Sequence, residues 1–161
     1  MKLILIRHAD ASTDDPRSLT DAGREQHTRV ARALGRMGIA VDRLLSSPLL
    51  RARQTAEITA KALEFGGAVE ETPALGDDFT VEGLLERLAA IPAEATVACV
   101  GHEPHLGRFA GALLTPDGNL AIGVKKSGVV GIQCEDLPAR GNGTLLFAFR
   151  PEELLRLVED R

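Results

Sequence analysis

Two histidines stand just beyond the two most apolar runs of the chain. His8 follows Leu3-Ile4-Leu5-Ile6 with Arg7 between, and His102 follows Thr96-Val97-Ala98-Cys99-Val100 with Gly101 between. An imidazole in such a place can attack an electrophile or carry a proton, because its ordinary pKa of about 6.5 leaves much of it neutral near pH 7. Two arginines accompany them: Arg7 adjoins His8, and Arg51 falls in the first turn of the helix-like segment after Ser47-Pro48. A guanidinium forks onto two oxygens of a phosphate, and a helix N-terminus adds its own preference for anions. Two imidazoles with two converging guanidiniums describe a site for a tetrahedral dianion. Like charge from Arg7 and Arg51 should lower the pKa of His8 and enlarge its neutral, nucleophilic fraction. The same arginines would offset the charge that develops in phosphoryl transfer, so the reading requires neither metal nor cofactor. The sequence has no evident metal-ligand cluster either.

These residues meet only if the elements carrying them are neighbours. In open α/β sheets, ligands bind beyond the carboxyl ends of the strands, which is where both histidines fall if 3–6 and 96–100 are adjacent strands. The periodicity predicts a helix over 20–37, with Gly23, His27, Val30, Leu34 and Met37 on one stripe and Gly38 as its stop. Ser47 as N-cap and Pro48 at the first helical position predict a helix over 49–64, with Ala52, Ala56, Thr59 and Leu63 facing inward. Strands are expected over 43–46 and 68–72, and helices over 81–91 and 105–114. Further strands are expected near Val124, over 128–134 and over 144–149, with a last short helix opened by Pro151. This alternation indicates an α/β fold: one domain over 1–161, with a mostly parallel central sheet flanked by helices on both faces.

Composition narrows the function classes. Among 161 residues, 44% are hydrophobic and 26% charged, as in ordinary globular proteins. A net charge of −4, from 19 Lys+Arg against 23 Asp+Glu, argues against general nucleic-acid binding, which needs a basic face. Cys99 and Cys134 sit in apolar runs without a second ligand at metal spacing and read as buried free thiols, which suits a reducing compartment. The first apolar run is too short for a signal peptide, and no run reaches membrane-spanning length, so no membrane contact and a cytoplasmic location are expected.

The residues singled out also fall into motifs. Arg7-His8-Ala9 resembles the RHG signature of the histidine phosphatase superfamily, the phosphoglycerate mutase-like proteins. Ser47-Pro48-Leu49-Leu50-Arg51-Ala52-Arg53-Gln54-Thr55 is similar to its SxLxRAxxT pattern, Val100-Gly101-His102-Glu103-Pro104 to its GHxP motif, and Leu19-Thr20-Asp21-Ala22-Gly23 to its LTxxG. All four occur in order, each at the junction where it is expected. The resemblance runs from Met1 to about Leu114 and thins out beyond. The short length and the run Arg17-Ser18-Leu19-Thr20 look most like the SixA-type phosphohistidine phosphatases. The resemblance implies that His8 attacks phosphorus and carries the phosphoryl group, that Arg7 and Arg51 hold its oxygens, and that His102 binds it from the opposite side. It also implies that Arg17 reaches the phosphate.

Some positions depart from the family pattern or bear a plainer interpretation. Ala9 replaces the usual glycine, so the backbone there should avoid positive φ. Asp10 stands where many relatives have glutamate, which weakens a mutase reading. Glu103 replaces the asparagine common in GHxP, and must either turn away from the phosphate or serve as an acid. Asp77 and Asp78 are candidate general acids, or else residues of a solvated, N-capping turn. Arg53 lies about 200° around the helix from Arg51 and should be solvated. His27, on an apolar stripe, is expected to be structural, whereas His105, which begins a helix beside the site, is left open between the two readings and leans toward structure. The leading expectation is a phosphatase acting on phosphohistidine of a His-containing phosphotransfer protein. A phosphomonoesterase for a small phosphorylated metabolite and a non-catalytic phosphate-binding module are the alternatives.

Overall fold

A computed structural model describes residues 1–159; residues 160 and 161, the end of the expected domain, lie outside the described residues. Six strands form one sheet: β1 (Lys2–Arg7), β2 (Arg43–Ser46), β3 (Glu70–Glu71), β4 (Thr96–Gly101), β5 (Val129–Cys134) and β6 (Gly143–Phe149). Their order is β3-β2-β4-β1-β5-β6. The first four in that order run parallel, whereas β5 and β6 are antiparallel additions beside β1. The helices are α1 (Asp21–Arg36), α2 (Leu50–Ala62), α3 (Val81–Ala89), α4 (His105–Leu114) and α5 (Pro151–Glu159).

The period of two along β1 sorts its side chains between two cores. Leu3 and Leu5 join Leu84 and Leu88 of α3 and Phe109 and Leu113 of α4. Ile4 and Ile6 join Val30 and Leu34 of α1, Ala52 and Ala56 of α2, and Leu154 of α5. With both faces covered, the central strands must be apolar throughout, as β1 and β4 are. The parallel register pairs Arg7 with Gly101, so His8 and His102 leave the sheet at the same level.

The chain after β1 is held down at α1. Thr20 caps this helix by accepting from the Gly23 amide at 3.0 Å. A Cβ on Gly23 would lie 2.3 Å from the Asp10 carbonyl oxygen, so only glycine lets the loop pack this closely. Gly38, at φ +80°, follows the C-cap as predicted.

Several boundaries differ from the sequence expectation. Met37 is 40% exposed and leaves the apolar stripe, because it is the C-cap residue beyond the last full turn. The second helix begins at Leu50 rather than at residue 49, and its N-cap position is Leu49, which offers no side-chain acceptor. Ser47 is therefore not the N-cap; its hydroxyl is engaged elsewhere. β3 contracts to two residues because it pairs only with Leu45 and Ser46 at the sheet edge. Val124 is not in a strand: its amide donates to Glu103 Oε1 at 2.7 Å and its carbonyl accepts from Arg7, so its backbone is unavailable to a ladder. Among the described residues, no helix is long and apolar enough to cross a membrane.

Candidate active site

The nucleophile candidate is set by its own backbone. His8 is 4% exposed, and its Nδ1 lies 2.7 Å from the Ala9 carbonyl oxygen. A carbonyl only accepts, so Nδ1 carries the ring proton and Nε2 keeps a lone pair. Arg51 Nε approaches that Nε2 at 3.4 Å, and the His102 ring lies across the crevice with centroids 5.1 Å apart. Burial holds the His8 imidazole at a pKa of about 4; the Ala9 bond opposes this, and Arg51, Arg7 and Arg17 reinforce it. The sequence pointed to the arginines as the cause, yet desolvation is the larger one.

The segment carrying His8 is fastened on three sides. The His8 amide donates to Gly101 O of β4 at 3.0 Å. The Ala9 amide donates to the Thr55 hydroxyl at 3.0 Å, and that hydroxyl donates to the Arg51 carbonyl at 2.7 Å. Ser127 donates its amide to the carbonyls of Arg7 and His8 at 3.1 and 3.3 Å. Among the described non-glycine residues only Glu64 and Ser127 have positive φ, so Ala9 sits where alanine is unstrained, as expected.

The second imidazole is held by Ser47. His102 Nε2 and Ser47 Oγ are 2.7 Å apart, and the same oxygen accepts from the Leu49 amide at 3.2 Å. His102 Nδ1 is buried without a hydrogen-bond partner. Burial, then the charges of His8, Arg51, His105 and Arg7, hold this ring at a pKa of about 3. Both imidazoles are therefore neutral at pH 7.

The cations are left open. Arg7 gives one nitrogen to Val124 O at 3.1 Å, and its Nε is buried without a partner. Arg17 donates Nε to Ser12 O at 2.8 Å, and its charge acts on both His8 and Arg51. Burial and Arg17 pull the Arg51 guanidinium below its ordinary value, with Asp77 opposing. Among the described residues, Arg7, Arg17 and Arg51 form no ion pair with a carboxylate. Together with His102 they surround His8, and Asp77 is the carboxylate whose charge reaches Arg51.

The remaining candidates divide clearly. Glu103 turns away: its two oxygens accept from the amides of Gly107 at 3.1 Å and Val124 at 2.7 Å. Asp10 is engaged by Lys126 and Thr20 at 2.9 and 3.0 Å. The charge of Asp77 acts on Arg51 and His105. Neither Asp77 nor Asp78 caps α3, because Thr80 does so through the Gly83 amide at 2.9 Å. Arg53 pairs with Glu71 at 3.1 Å and is half-buried rather than fully solvated, with its Nε buried and unpartnered. His105 stacks on Phe79 with centroids 4.5 Å apart. His27 is fully buried between Ser127 Oγ at 3.1 Å and Thr59 Oγ1 at 2.8 Å, so it links α1 and α2 to the residue that holds Arg7 and His8. Cys99 and Cys134 are free and buried, and burial pushes the Cys99 thiol up to about 12. No group of three or more His, Cys, Asp or Glu among the described residues could hold a metal ion.

Three contributors escaped the sequence reading: Ser47, Thr55 and Ser127. The first and second are the end residues of the SxLxRAxxT pattern, so their signal was present. Ser127 holds Arg7 and His8 through its amide, which every residue type but proline supplies, while its hydroxyl meets His27.

The fold and motifs have counterparts. The model of the histidine phosphatase superfamily (branch 1) matches residues 3–97. An uncharacterized protein of Picosynechococcus is 36% identical over 142 residues, covering 83% of this chain and 85% of its own. The phosphohistidine phosphatase SixA of Escherichia coli is 32% identical over 114 residues, covering 66% and 70% respectively. A solved structure of the protein histidine phosphatase SixA complexed with tungstate superposes with a TM-score of 0.85 at 29% identity, over 96% of this chain and 99% of that one.

Proposed function

The chain belongs to the histidine phosphatase superfamily, and from that premise we propose that it is a phosphohistidine phosphatase whose substrate is a His-containing phosphotransfer protein. The observation that carries this reading is the His8 tautomer: Nδ1 is fixed on Ala9 O, and the unprotonated Nε2 accepts from Arg51 Nε at 3.4 Å and faces the His102 ring. In the first step that lone pair attacks phosphorus while the bond from phosphorus to the substrate imidazole breaks. The departing imidazole takes up a proton from solvent. In the second step water attacks phospho-His8, releasing inorganic phosphate and restoring the neutral ring. Arg7, Arg17 and Arg51 offset the charge on the transferring oxygens, and His102 faces the same group.

The substrate preference follows from the acids. Glu103 is bonded to backbone amides, which leaves Asp77 as the carboxylate whose charge reaches the site. An imidazole leaves readily once protonated, whereas an alkoxide needs firm proton donation. This favours a phosphoramidate over an ester. The closeness of Asp77 to Arg51 and His105 favours the second reading, a phosphomonoesterase in which Asp77 protonates the alkoxide.

Rates with phosphohistidine, a phosphohistidine protein and phosphoserine, each compared with Asp77→Asn, separate the two. Rapid hydrolysis of phosphohistidine that survives Asp77→Asn supports the first reading. Preferred hydrolysis of phosphoserine that collapses in Asp77→Asn supports the second. Labelled phosphoryl trapped on the protein under alkaline quench and lost in His8→Ala supports either enzyme over a phosphate-binding module.

A further inference from the structure

A cleft of about 530 Å³ opens beside the site, and Arg7 lines it. Its walls are the first turn of α4 with Arg108, the irregular segment 118–125 with Lys125, and Arg150 just before α5; Ile122 and Leu120 supply apolar surface. The wall is preformed, because a Cβ on Gly107 would sit 2.2 Å from the Ile122 carbonyl oxygen. The segment therefore lies directly on α4.

The charge of this cleft is one-sided. Arg108 and Lys125 are exposed and have no ion pair among the described residues, while Arg150 is paired with Glu153. The one acidic lining residue is Glu103, and both its oxygens are taken by the amides of Gly107 and Val124. The loop after β3 exposes Asp77 and Asp78, neither of which lines the cleft, and the charge of Asp77 acts on Arg51 and His105. The cleft is thus lined by basic residues in a chain of net charge −4.

We propose that this cleft docks an acidic surface of the protein whose phosphohistidine enters the site, an inference that rests on the phosphohistidine reading above. The two unpaired cations stand on different elements, which suits carboxylates spread over a protein surface. Complementary charge steers the encounter. Arg7 then joins the docking surface to the phosphate site.

The probes are two fluorescent phosphohistidine peptides, one flanked by glutamates and one by glutamines. Binding is read by anisotropy in His8→Ala, which removes turnover from the measurement. The glutamate peptide should bind at least tenfold tighter. The advantage should fade as salt rises from about 0.01 M to about 1 M, which shortens the screening length from roughly 30 Å to roughly 3 Å. Adding Arg108→Glu and Lys125→Glu should abolish it, and Arg108→Gln with Lys125→Gln should reduce it. In the otherwise native chain, these substitutions should leave turnover of free phosphohistidine within twofold. Equal binding of the two peptides, or a preference that survives the charge reversals, overturns the docking site even where phosphohistidine is hydrolysed. Loss of pyrophosphate binding in the reversed variant, with the peptides indifferent, assigns the cleft to a second phosphate instead and also overturns it. A glutamate preference in a chain that fails to hydrolyse phosphohistidine keeps the docking site and removes the functional reading.

Discussion

At the level of single residues, the site depends on which nitrogen of His8 carries the lone pair and on what surrounds it. Removal of the ring should abolish turnover, with a loss on the order of 10⁶, the scale for deleted nucleophiles. Steady-state rates of His8→Ala against the parent check this, and activity within tenfold would reject the assignment. Arg51 and Arg53 offer a sharper contrast, since one reaches His8 and the other reaches Glu71. Arg51→Ala should lower kcat/KM by roughly 10² to 10³, the range for one preorganised donor. Arg51→Lys should recover part of that, because an ammonium keeps the charge without the fork. Arg53→Ala should cost under about tenfold on free phosphohistidine, consistent with loss of a surface pair. The depressed pKa of His8, about 4, sets the pH profile. The neutral ring persists down to that value, so the acid limb of kcat/KM arising from His8 should lie well below 6.5. A limb centred at 6.5 that tracks no substrate ionisation would contradict the buried, neutral nucleophile.

At the level of elements, Thr55 connects helix α2 to the loop carrying His8 through one hydroxyl. Thr55→Val keeps the shape and removes the acceptor, leaving the buried Ala9 amide without a partner. Such an orphaned donor costs about 1–3 kcal/mol, to be read from urea unfolding, and kcat should fall as the His8 segment loosens. The elements also show what a sequence reveals and what it conceals. Helix α1 was legible because Thr20 and Gly38 punctuate a strong apolar period. The start of α2 was misplaced because Ser47-Pro48 has the chemistry of a cap, yet the hydroxyl is turned to His102 as well as to Leu49. Val124 has strand-like character, but its pairing groups were claimed by Glu103 and Arg7, residues distant in sequence. His8, His102, Arg7 and Arg51 could be picked out because a strand end and a helix start each announce themselves locally. Ser127 could not, since its bonds to Arg7 and His8 are made by a backbone amide and its hydroxyl meets a histidine a hundred residues away in sequence.

At the level of the whole molecule, three neutral imidazoles are buried. His27 and His8 are held at about 4 and His102 at about 3, against 6.5 when unfolded. The unfolded chain binds these protons first as pH falls, so stability is full above about pH 6.5 and declines from there toward pH 4. Urea midpoints at pH 7.5 and pH 5 should show that decline, and His27→Gln should lessen its steepness. Dialysis against EDTA should leave the rate unchanged, and strong rescue by an added divalent ion would overturn the site as drawn.

The three unpaired guanidiniums have a thermodynamic consequence. Like charges gathered around His8 repel one another in the empty protein, and a bound oxyanion relieves that repulsion only in the folded state. Phosphate, vanadate or tungstate should therefore act as stabilisers, adding about 2.7 kcal/mol at a hundred times their dissociation constant. Thermal unfolding with rising tungstate checks this, and Arg51→Ala should blunt the response. Because inorganic phosphate is also the product, the charge that speeds its formation should slow its departure. At high phosphate the resting protein would be more heat-resistant and less active at once.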